Sequence, residues 1–118
     1  MMKIEETNSY HLITAESDPA LSDDQNFENF LKDFKEKMTT FKKINLILDF
    51  SNLINIDFNK ILLFSQLSDM HRSANNSFVM VCRGIEFNDL PDEMMAVPTL
   101  QEAQDIVEIE DIERDLGI

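Results

Sequence analysis

The chain has 118 residues, is 43% apolar with nine Phe, and holds only two Gly and three Pro, which fits one compact domain over 1–118 and excludes a loop-dominated or disordered chain. Ten Lys plus Arg against 23 Asp plus Glu leave a net charge of −13. Nucleic acids and anionic membranes are gripped by basic side chains that displace counterions, so this balance disfavours both as partners.

Residues from about Lys3 to Thr14 read as two short strands meeting near Thr7-Asn8-Ser9, with Tyr10, Leu12 and Ala15 alternating against His11 and Ile13. A loop around Pro19 follows, and Ser22, Asp23 and Asp24 bring side-chain oxygens to the start of a helix. Phe27, Phe30, Leu31, Phe34, Met38 and Phe41 recur at spacings of three and four, the stripe of an amphipathic helix that needs a sheet to cover it. Asn45 to Phe50 has a continuous apolar centre, the mark of a strand buried on both faces, and Ser51-Asn52 ends it.

A second helix starts at Asp57 or Asn59 and runs to about Ser73, with Ile61, Leu62, Phe64 and Leu67 inward and Leu63 and Met70 at the margins. Ser77 to Cys82 is another buried strand. Gly84 to Glu93 is a loop or short helical turn, Met94 to Val97 a last short strand stopped by Pro98. Thr99, with Glu102 three residues on, forms a capping box for a final helix. On that helix Leu100, Ala103 and Val107 share the stripe that packs on the sheet, while Ile106 lies between and Ile109, Ile112 and Leu116 point away. A straight helix leaves those three exposed among Glu108, Glu110, Asp111, Glu113 and Asp115, an acid-rimmed docking strip; a bent one folds them back onto the domain. The order β β α β α β (α) β α predicts an α/β fold, a mixed sheet of four to five strands with an N-terminal hairpin and helices from strand two onward.

Charge is uneven along this order. Lys32, Lys35, Lys37, Lys42 and Lys43 hold five of the ten bases, whereas eleven acids and one base, Arg114, follow Arg83. Cys82 is the sole cysteine, which fits a reducing compartment. The N-terminal residues Met1 to Glu6 lack the apolar run of a signal peptide, and the longest aliphatic or aromatic run is Ile61 to Phe64. The expected location is the cytoplasm.

Familiar chemistry is missing. Gly84 and Gly117 are too few and too far apart for a phosphate-cradling loop. His11 and His71 fall in different elements, read as surface or boundary residues, and give no metal spacing with one Cys. Ser51 lacks a nucleophile elbow and reads as a turn residue. Asp49 and Asp57 need no catalytic role at a strand end and a helix cap, and Cys82 reads as core. No catalytic residue, metal or cofactor is expected.

From about Asn45 onward the chain resembles the STAS family, the sulfate-transporter and anti-sigma-factor-antagonist domain. Leu46 to Ser51 is similar to the family's strand ending in Asp-Leu-Ser. Leu53 through Ile56-Asp57 resembles the segment leading to the Asp at the next helix, Phe78 to Val81 the following strand, and Val97 to Ala103 the closing strand-to-helix junction. The ending, Val97 through Gly117, also resembles short stand-alone bacterial STAS-like proteins, some of which bear the name of a tRNA-processing ribonuclease. That activity needs clustered His and Asp around two metal ions, for which two isolated His do not suffice.

In anti-sigma-factor antagonists the helix-cap Asp is followed by Ser-Ser-Gly or Ser-Thr-Gly, and one hydroxyl accepts a phosphoryl group. Here Asp57 is followed by Phe58-Asn59-Lys60, so the acceptor position falls on Asn59, read here as the helix cap. The resemblance implies a non-catalytic protein-binding regulator without its phospho-acceptor, gripping a partner, a second copy or another protein, through Asp57, Phe58, Asn59 and Lys60, and through the strip of Ile109, Ile112 and Leu116. A small-ligand sensor on the same fold is the alternative.

Overall fold

A computed structural model describes residues 2–53, 55–85 and 87–117, apart from the side chain of Phe87. Met1, Ile54, Glu86 and Ile118, each inside a segment considered above, lie outside the described residues. Strands β1 (Met2–Glu6) and β2 (His11–Ala15) form the expected antiparallel hairpin. Thr7 closes its turn, the hydroxyl donating to the Tyr10 carbonyl at 2.7 Å. Strands β3 (Leu46–Asp49), β4 (Phe78–Val81) and β5 (Met95–Val97) add in parallel, giving one sheet in the order β1-β2-β3-β4-β5.

Period-two alternation splits the strand side chains between two cores. Ile13, Leu46, Leu48, Phe50, Phe78, Met80 and Cys82 face one helical layer. Leu12, Ile47, Val79 and Val81 face the final helix. Both faces are covered, which is why β3 and β4 read as unbroken apolar runs.

The first layer holds α1 (Asp23–Lys37), opened by a capping box in which Ser22 Oγ accepts from Gln25 N–H and Gln25 Oε1 accepts from Ser22 N–H, both at 3.1 Å. The helix does not reach Phe41 as an α-helix; a 3₁₀ turn, Met38–Phe41, ends it and drops the Phe41 ring beside Phe34 at 6.0 Å between centroids. The second helix is likewise two helices, α2 (Phe58–Leu62) and α3 (Ser65–Ser73). Leu63 and Phe64 bridge them through i→i+3 bonds, which tighten the chain and turn Phe64 inward. Phe64 then sits 5.4 Å from Phe50 and 5.9–6.1 Å from Phe27, Phe30 and Phe34, at the centre of a phenylalanine cluster in mixed edge and tilted geometry.

The second layer is α4 (Leu100–Asp115) alone. It is continuous, with Ala103 and Val107 buried against the sheet and Ile106 partly so. Thr99 caps it by accepting from Glu102 N–H at 3.2 Å, but the predicted reciprocal bond is replaced by the Thr99 hydroxyl donating to the Glu102 carboxylate. Gly117, at φ +72°, turns the chain out of the helix, a conformation costly for residues with a Cβ. The turn at Phe87–Asp89 is 3₁₀, within the loop-or-turn reading of Gly84 to Glu93. Among the described residues no helix is long and apolar enough to cross a membrane.

Candidate functional site

The C-terminal ends of the parallel strands carry the segment that joins β3 to α2. Asp49 accepts from Ser51 N–H at 2.9 Å and starts the turn out of the strand, the role expected of Ser51 and Asn52. Asn55 takes a left-handed backbone, φ +61°, which Asn tolerates better than most residues. Asp57 then caps α2, its Oδ1 accepting from Lys60 N–H at 2.9 Å. The cap therefore falls on Asp57 and not on Asn59. Asn59 occupies the second helical position, already inside the first turn, where its side chain is exposed.

A small polar lattice ties this loop to the start of α1. Lys60 Nζ meets Asp24 Oδ1 at 2.8 Å and donates to the Asn55 carbonyl at 3.0 Å. Asn55 Nδ2 donates to Asp23 at 2.7 Å, and the Lys60 ammonium lies 5.9 Å above the Phe27 ring. The hydrogen bond to Asp24 holds the Lys60 ammonium above its ordinary pKa. Of the four loop residues named from the sequence, Asp57 and Asn59 are exposed, whereas Phe58 packs partly on the core and Lys60 is already engaged.

The strip on α4 lies elsewhere, at the N-terminal end of the parallel strands. Ile109, Ile112 and Leu116 are 54%, 51% and 68% exposed. The acids around them divide. Glu110 and Asp111 turn inward: Glu110 takes both guanidinium nitrogens of Arg72, at 2.7 and 3.4 Å, and the Ser77 hydroxyl. Arg114 donates to Asp111 at 2.7 Å, to Ser77 Oγ at 3.0 Å and to Asn45 Oδ1 at 3.2 Å. Asn45 also accepts from Ser77 N–H and donates to Asp111, so α4 is clamped to the starts of β3 and β4. Glu108, Glu113 and Asp115 remain exposed. Sequence reasoning missed this clamp, although Glu110, Asp111 and Arg114 fall on the same helical face as Ala103 and Val107 and so were bound to meet the sheet edge.

Neither histidine joins either site. His11 is half-buried beside Phe41, as a boundary residue, but His71 is buried at 5% exposure, contrary to its reading as a surface or boundary residue. It sits on the inner face of α3 because its Nε2–H has the Ile44 carbonyl to donate to, and its ring meets the Phe78 edge at 5.9 Å. Desolvation lowers its pKa. Burial likewise pushes the Cys82 thiol up to about 11, in keeping with its place in the core. No cluster of three or more metal-binding side chains occurs among the described residues.

No family model matches the chain, and no curated protein matches it. Among solved structures it is similar to a serine-to-glutamate variant of RsbS from Moorella thermoacetica, at a TM-score of 0.64 and 18% identity, over 96% of this chain and 97% of that one. RsbS is a STAS-domain protein, so the chain has the STAS fold.

Proposed function

We propose that this chain is a non-catalytic, protein-binding regulator of the cytoplasm, of the anti-sigma-factor-antagonist kind, held in one state because its acceptor position carries no hydroxyl. The observation that carries the reading is the first turn of α2, where an exposed Asn59 follows the capping Asp57 on a loop pinned to α1 by Lys60 and Asn55. An amide at that position adds no charge and accepts no phosphoryl group, and the pinned loop presents a fixed surface. Asp57 and Asn59 are the contact residues of this surface; Phe58 and Lys60 support it from behind. The exposed Ile109, Ile112 and Leu116 form a second contact surface at the far end of the sheet.

The test uses the whole chain as bait in extract of its native cytoplasm. A protein retained by the wild type and by Glu28→Gln, but lost with Asn59→Glu, supports the reading, because the added carboxylate imitates the charge of a phosphorylated loop. Equal retention by all three removes the loop from the interface. A phosphorylated Ser51 or Ser65 found by mass spectrometry in cells overturns the fixed state, since it supplies the switch elsewhere.

A further inference from the structure

A groove of about 430 Å³ opens between the end of α1 and the end of α3. Met38, Met70 and Ala74 give it apolar walls, and Lys42 and Lys43 stand at its edge. Met70 is 58% exposed there, a large apolar side chain left uncovered on α3. Lys42 and Lys43 have no ion-pair partner among the described residues, although the chain carries more than twice as many acids as bases. No acidic side chain lines this groove among those residues.

The complement of that surface is present on the same molecule. The α4 strip offers three exposed aliphatic side chains with Glu108, Glu113 and Asp115 around them, the acids that the Arg72 and Arg114 clamp does not use. Apolar walls with two free cations face apolar side chains with free anions, and such pairing sets orientation as well as attraction. We infer that the strip of one copy seats in the lysine-edged groove of a second copy. The inference takes the strip to be a contact surface, as the proposed function does, and names its occupant.

The geometry dictates the kind of assembly. Groove and strip are different patches on opposite layers of the sheet, so one contact leaves a groove unused on one copy and a strip on the other. A head-to-tail contact of this type does not close as a two-fold dimer; it continues as a chain or a ring.

Sedimentation velocity on the full chain tests this. The wild type passes beyond dimer mass as concentration rises. Lys42→Glu with Lys43→Glu, and separately Ile109→Ser with Ile112→Ser, each weaken self-association at least tenfold while keeping the wild-type circular dichroism. Mixing the two variants equally then yields a dimer and nothing larger, because each retains one intact patch. A wild type still monomeric at about 1 mM, the weak end of specific association, overturns the inference. So does a mixture that stays monomeric, or a groove variant that self-associates as the wild type does, which means that α4 pairs with α4. A monomeric wild type whose Met70 resonances shift on adding decanoate assigns the groove to a small carboxylate amphiphile instead. Asn59→Glu must leave self-association intact whatever it does to capture of a cytoplasmic protein, so the two readings fail separately.

Discussion

The imidazole of His71 lies between a carbonyl that favours its N–H and a core that disfavours its charge. Its folded pKa falls below the ordinary 6.5 because desolvation outweighs the Ile44 hydrogen bond. The unfolded chain therefore takes up this proton first as pH falls. The His71 contribution to stability is whole above about pH 6.5 and is lost as pH drops through the lower folded value. Thermal melts from pH 7.5 to pH 5 should show a decline that His71→Gln reduces, since the amide still donates to Ile44 and does not titrate. An identical decline in both proteins assigns the acid sensitivity to the carboxylates. At the other end of the sheet, Asp57→Ala should cost about 0.5–2 kcal/mol through loss of the α2 cap. Asn59→Ala, which caps nothing, should stay within about 0.5 kcal/mol. Urea melts of the two decide whether the cap lies where the backbone geometry puts it.

The phenylalanine cluster governs stability at the level of elements. Phe30 and Phe34 are fully buried on α1 and meet Phe50, Phe64 and Phe78 at 5.3–6.1 Å. Either one changed to Ala should lose about 3–5 kcal/mol, and a loss below about 1 kcal/mol would mean that the helix stripe is not the core it is built as. The stripe was legible because helical spacing and strand alternation are local signals: every strand, both helical layers and the hairpin followed from them. What the sequence concealed were the breaks. No Gly or Pro marks the turn at Leu63 and Phe64 or the 3₁₀ turn after Lys37; both arise because a large ring, Phe64 or Phe41, gains more contact by leaving the helical path. The cap misreading at Asn59 has a related cause, since Asn and Asp both cap well and two residues of register separate them. The loop's attachment to α1 joins residues some thirty positions apart, Asn55 with Asp23 and Lys60 with Asp24, and no local pattern encodes such pairs.

Across the whole molecule, α4 is held by two unlike halves. Its first half packs Ala103 and Val107 on the sheet; its second overhangs the starts of β3 and β4, where Glu110, Asp111 and Arg114 replace apolar residues with a clamp on Arg72, Ser77 and Asn45. Glu110→Ala leaves the Arg72 guanidinium and the buried Ser77 hydroxyl without their acceptor and should cost about 1–3 kcal/mol, whereas Glu108→Ala on the exposed side should change stability by no more than about 0.5 kcal/mol. The clamp also decides what a deletion of residues 109–118 can report. That deletion takes the exposed strip and the inward-facing clamp together, so a truncated chain that unfolds reports the loss of Glu110, Asp111 and Arg114 and is silent on docking. Ile109→Ser with Ile112→Ser separates the two functions of the segment, because both side chains stand more than half exposed on the face away from the sheet. The doubly substituted chain should melt within a few degrees of the wild type, while the truncated one should lose at least as much as Glu110→Ala. Equal loss in both would place Ile109 and Ile112 in the packing of the domain and remove the strip from any interface.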